Sequence, residues 1–249
     1  VQGNAYLVTN TNWAGLAPTI RNGVEEGFKT AFSQYFILKI VSPAQIPTQL
    51  NFVDVIVRLG SNKAESLRQF NSRVWKQLSI AMQRFSTTPQ SLRARSITAS
   101  SFDIGVAVAL KDPNSLPSVC ISEGMVSLEG AWAAWKFFRT LRTGKAEPPG
   151  PVGSKLSQKE LKSFGVSLGR CMAHEAWHQI ILTPWGLPPY GNPHPYSAKW
   201  PGLENESCGS DWWKDKASFG DKGMKLVNTT MTRLNDAQGS AQTLGIFRG

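Results

Sequence analysis

The chain's densest chemistry is carried by His174, Glu175 and His178, which read His-Glu-x-x-His within Cys171-Met172-Ala173-His174-Glu175-Ala176-Trp177-His178-Gln179. On a helix, residues four apart share a face, so the two imidazoles can be presented to one ion. Glu175 projects to the side, where it can hold and deprotonate a water on that ion. Zinc in an open site lowers the pKa of its water to roughly 7 and polarises a carbonyl. The expected chemistry is hydrolysis by a metal-activated water, with Zn2+ as cofactor, His174 and His178 as ligands and Glu175 as general base. The chain has 3 histidines, and the last, His194, lies downstream where a third ligand is expected.

The motif needs a long, buried helix to hold it. Ser157-Gln158-Lys159-Glu160 reads as a capping box, with Ser at the N-cap and Glu at the third helical position. Leu161, Phe164, Leu168, Cys171, Met172, Ile181 and Leu182 then form an apolar stripe at helical spacing. Together they predict a helix over 158–182. Upstream, apolar runs predict strands at 5–9, 36–41, 52–59, 97–110 and 119–128, the last at a sheet edge. Helical periodicity covers 14–34, 62–85 and 131–141, and a final helix fits 222–240. Residues 143–151 are a Pro- and Gly-rich linker or loop, and 183–202 carry little regular pattern. No internal repeat is visible.

At 249 residues, 41% hydrophobic and 18% charged, the chain can bury one substantial core. One catalytic domain is expected, in two parts. An N-terminal sheet and helix subdomain over 1–182 ends in the motif helix, and a loop-rich C-terminal subdomain spans 183–249. No apolar run approaches the roughly 20 residues of a membrane-spanning helix. The net charge of +10 favours an acidic partner or surface, with general solubility as the plain alternative. Three cysteines, Cys120, Cys171 and Cys208, are too few for a disulfide scaffold; Cys171 reads as core packing. Of 9 tryptophans, five (Trp177, Trp185, Trp200, Trp212 and Trp213) crowd the region around the motif. They would line a cleft or pad a loop-rich region.

The motif and the order of elements resemble zinc metallopeptidases of the zincin type. In those, an N-terminal sheet backs the active-site helix and the C-terminal part closes the cleft below. The resemblance implies an α+β fold: a mixed twisted β-sheet with backing helices, the His-Glu-x-x-His helix, and an irregular C-terminal subdomain. Gly191-Asn192-Pro193-His194 resembles the Gly-x-x-His ending of the metzincin pattern, set ten residues later than in that family. That implies His194 as third ligand. The aspzincin resemblance of Gly209-Ser210-Asp211 offers Asp211 instead, and a gluzincin-like site would use Glu204 or Glu206. Metzincins also place a Met in a tight turn under the metal, for which Met224 is the candidate. Tyr190 and Tyr196 flank His194 and are candidates for stabilising the developing oxyanion, or are surface aromatics.

The function expected from this resemblance is a zinc-dependent endopeptidase acting on protein or peptide substrates, held by edge addition to the strand at 119–128. One alternative is a DNA-associated peptidase, since SprT-like enzymes also combine this motif with a distant third His. The other is a basic, Trp-rich binding or toxin module with a structural or vestigial zinc site. A chain beginning at Val1 rather than Met reads as a processed form or an excised piece. With the metzincin resemblance, this implies a secreted protein matured from a precursor.

Overall fold

The computed structural model describes residues 2–32, 34–84, 104–112, 119–181, 203 and 219–243. In strand β1 (Gly3–Val8), side chains alternate: Ala5 and Leu7 enter the main core, while Tyr6 and Val8 face the other side of the sheet. Asn10 then caps the short helix α1 (Thr11–Ala14) by accepting from the Trp13 N–H at 3.0 Å. The same side chain donates to the Leu59 carbonyl at 2.6 Å, tying the turn to the end of a neighbouring strand. Helix α2 (Pro18–Phe32) restarts at a proline, whose fixed φ suits a first helical turn. The helix expected over 14–34 therefore begins at Pro18, and the short α1 before it is a separate element.

Strand β2 (Phe36–Val41) ends where Ser42-Pro43 begins a 3-10 turn. Strand β3 (Val55–Gly60) is buried at all six positions, as a central strand must be. It starts later than expected because the Asp54 carboxylate accepts from the backbone N–H of Asn51 at 3.0 Å and Asn4 at 2.9 Å, which makes 51–54 a turn. Helix α3 (Lys63–Arg84) follows, then strands β4 (Gly105–Asp112) and β5 (Val119–Ser127). Residues 97–103 of the expected strand 97–110 lie outside the described residues. Helix α4 (Leu128–Thr143) is longer than 131–141 because Ser127 caps its start and Gly144, at φ 67°, closes its end. Helices α5 (Gln158–Ile181) and α6 (Asp221–Thr243) complete the order.

This is a mixed α/β fold with one five-stranded sheet, ordered β2-β1-β3-β5-β4. The pairs β1–β2, β1–β3 and β3–β5 are parallel, and β4 runs antiparallel to β5. One expectation is corrected here: β5, over 119–127, is interior, and among the described residues β2 and β4 are the edge strands. On one face of the sheet lie α2 and α5, with α4 and α6 packed against α5. On the other, Phe70, Val74 and Leu78 of α3 cover Ile121 and Met125. Beneath α3, Glu123 of β5 is wholly buried and bonded to the Arg58 guanidinium at 2.5 Å, with Arg73 of α3 at 3.8 Å. Burial pushes the Glu123 carboxyl up from its ordinary value, while the two guanidiniums oppose that rise. Among the described residues, no helix is long and apolar enough to cross a membrane.

Candidate metal centre

Helix α5 is the axis of the molecule. Its start is the expected capping box: the Glu160 N–H donates to Ser157 Oγ at 3.3 Å, and the Ser157 N–H donates to Glu160 Oε2 at 3.0 Å. Glu160 also accepts from Arg139 of α4 at 2.6 and 2.9 Å, tying the two helices. These donors, Ser157 foremost, hold the Glu160 carboxyl down to about 2. From Phe164 to Ile181 the helix is buried apart from Val166, so the expected one-sided stripe is in fact burial nearly all round.

Two glycine pairs bring α2 and α5 into backbone contact. A Cβ on Gly27 would lie 2.1 Å from the Val166 carbonyl oxygen, and one on Gly169 would lie 2.2 Å from that of Val24. Gly23 and Gly165 meet in the same way one turn earlier. Only residues without a Cβ allow this approach.

Against the sheet, α5 presents Glu175 and, one turn on, Gln179. Both stand over glycines. A Cβ on Gly105 of β4 would lie 2.2 Å from Glu175 Oε1, and one on Gly124 of β5 would lie 2.5 Å from Gln179 Nε2. The β3–β5 ladder begins at Val57 and Gly124; just upstream, Gln179 takes over the strand backbone. Its amide oxygen accepts from the Ile56 N–H at 2.9 Å and the Ser122 hydroxyl at 2.6 Å, and its amide N–H donates to the Ile56 carbonyl at 2.8 Å. Gln179 therefore satisfies buried groups of two strands and fixes the height and rotation of α5. Burial raises the Glu175 carboxyl well above its ordinary range.

His174 and His178 lie on the adjoining face of α5, both buried, with ring centroids 4.4 Å apart and ring planes at 89°. His174 Nδ1 meets the backbone carbonyl of Leu203. That contact makes Nδ1 the donor and puts the lone pair on Nε2, an orientation that a metal-binding imidazole needs. Trp177 lies beside the two histidines, 5.9 Å from one ring and 5.2 Å from the other, and stacks on Phe219, which stacks on Phe32. This aromatic column walls the histidine face.

Two adjacent imidazoles, one with its tautomer set by a carbonyl, fit the donor chemistry of a zinc site. Of the expected site residues, the structure sets His174 and His178 ring to ring on α5, with Glu175 on the adjoining face over Gly105. His194, Asp211, Glu204, Glu206, Tyr190, Tyr196 and Cys208 lie outside the described residues, and among the described residues no group of three or more His, Cys, Asp or Glu could hold a metal ion. Met224 stands in the first turn of α6, half-buried, with its N–H donating to Gly220 O at 3.0 Å. It is part of a helix rather than a tight turn. Cys171 packs in the core as expected.

Gly105, Gly124, Ser122 and Gln179 were not singled out from the sequence. A signal existed, since a lone glycine inside a strand pattern marks a close approach by another element. No family model, curated protein or solved structure matches the chain.

Proposed function

We propose that the chain is a zinc-dependent endopeptidase of zincin-like build. The observation that carries this reading is the shared placement of His174, Glu175 and His178, on one buried helix wedged against the sheet. His174 and His178 would hold the zinc, with His194 or Asp211 as third ligand. Bound zinc would supply an activated water and polarise the scissile carbonyl. The Leu203 carbonyl keeps the His174 ring in the tautomer that offers Nε2. Glu175 would take the proton of the activated water and pass it to the departing amine. The Trp177 ring lies against both histidine rings and is backed by Phe219.

A peptide substrate would lie extended along the outer edge of β4, which pairs with no further strand among the described residues. That edge begins at Gly105, directly under Glu175, so a strand bound there would run past the base. Tyr190 and Tyr196 are the candidates for stabilising the developing oxyanion. Secretion belongs to the same proposal.

The test is Glu175→Gln, assayed on a peptide library together with zinc content. The proposal predicts retained zinc and proteolysis lost by several orders of magnitude. Undiminished proteolysis in the purified variant rejects it.

A further inference from the structure

Helix α4 turns Trp132, Trp135 and Arg139 inward, yet its outer face is not polar. Phe137 is 52% exposed and Leu141 is 66% exposed, and the two stand one turn apart on a single stripe. They are two of five large hydrophobics exposed among the described residues. The stretch of sequence that carries them is basic. Residues 132–162 hold seven Lys and Arg against two Glu, a net +5 in a chain whose whole formal charge is +10. Both carboxylates are engaged locally, Glu147 by Lys136 at 3.4 Å and Glu160 by Arg139 at 2.6 Å. Arg142, Lys145, Lys155 and Lys159 of this stretch are exposed.

We propose that this face of α4, with Phe137 and Leu141 as the inserting side chains and Arg142 and Lys145 beside them, docks the protein on an anionic phospholipid bilayer. Interfacial helices combine a small apolar face with basic flanks, and stable docking commonly needs both signals together. Each cation reaches lipid phosphate with its charged head while its stem lies along the apolar face. An acidic protein fits less well, because a specific interface covers about 800 Å² per partner around an apolar centre. Two exposed apolar side chains do not supply such a centre. The proposal stands apart from the metal centre.

The experiment is co-sedimentation of the full chain with vesicles of phosphatidylcholine alone and of phosphatidylcholine with phosphatidylserine. The parent is expected to sediment with the second kind only. Phe137→Ser/Leu141→Ser is expected to weaken that binding at least about tenfold, and Arg142→Gln/Lys145→Gln about thirtyfold. Both apolar side chains are more than half exposed, so the first variant is expected to keep the parent's circular dichroism and Tm. Leu141→Ser alone, the more exposed position, serves if the double variant does not fold. Equal binding by parent and Phe137→Ser/Leu141→Ser would reduce the effect to diffuse charge and overturn the proposal. So would no binding to phosphatidylserine vesicles. A parent dimer in solution that becomes monomeric in the Phe137 and Leu141 variants would assign the face to a second copy, and overturn it as well.

Discussion

Replacing Gly27 by Ala is expected to destabilise the protein, whereas the same change at Gly239 stabilises it. Both glycines lie in helices, where Ala is intrinsically favoured by about 1 kcal/mol. At Gly239 a Cβ meets nothing within 4 Å, so that gain should appear undiminished. At Gly27 the new Cβ would stand 2.1 Å from the Val166 carbonyl oxygen, 1.3 Å short of the 3.4 Å where ordinary van der Waals contact begins. The obstructing atoms are backbone, so no rotamer change relieves them. α5 is held to the sheet by Gln179, so the displacement must fall on α2. Overpacking of this kind costs about 3 kcal/mol, at the upper end of the usual range, leaving a net loss of about 2 kcal/mol after the helical gain. For a chain of this size that lowers Tm by about 4–8 °C, while Gly239→Ala raises it by about 2–4 °C. Thermal unfolding followed by circular dichroism reads both. An equal rise in Tm for the two variants would refute the close α2–α5 packing and, with it, the placement of the motif helix.

Two further outcomes follow from the site and its surroundings. Gly105→Ala puts a Cβ 2.2 Å from Glu175 Oε1 and 2.8 Å from its Cγ, so the carboxylate must turn away. A drop of about 100-fold in kcat/KM on a peptide substrate is expected, with zinc content unchanged; parental activity would detach Glu175 from the chemistry. Lys111 is wholly buried, and desolvation pushes its amine down from 10.5 to about 8 while it donates to the Asp54 carbonyl at 3.0 Å. Above pH 8 the unfolded chain still binds this proton and the folded one releases it, so stability should rise with pH, by up to about 1.4 kcal/mol between pH 8 and 9. Cys120, whose thiol burial pushes up to about 11, opposes this trend above its ordinary value of 9. Urea titrations at pH 8 and 9 should therefore show a steeper rise in the parent than in Lys111→Met, and equal slopes would contradict the buried amine.

What the sequence discloses depends on how local the cause is. The motif helix is readable to within a residue of its observed end because its cap, stripe and metal-ligand spacing all sit within one element. Strand β2 is readable because Ser42-Pro43 stops it. Strand order is not, since parallel neighbours are joined through distant segments. The polar Ser122 and Glu123 give β5 the look of an edge. Each is buried only because a remote partner satisfies it, Gln179 for one and Arg58 with Arg73 for the other. The four-residue spacing of Gly23 and Gly27, and of Gly165 and Gly169, is visible in the chain, but which helices would meet there is a tertiary fact. The same holds for the third ligand. The motif names two imidazoles on one helix, and a further donor to the proposed zinc would come from a separate segment.

The most direct test of the central claim is zinc content, by elemental mass spectrometry, of protein purified without added metal, beside His178→Ala and His194→Ala. The account predicts about one zinc per chain in the parent and little in His178→Ala, and loss in His194→Ala would make His194 the third ligand rather than Asp211. A parent without zinc even after reconstitution, or a His178→Ala variant that keeps its full complement, would contradict it.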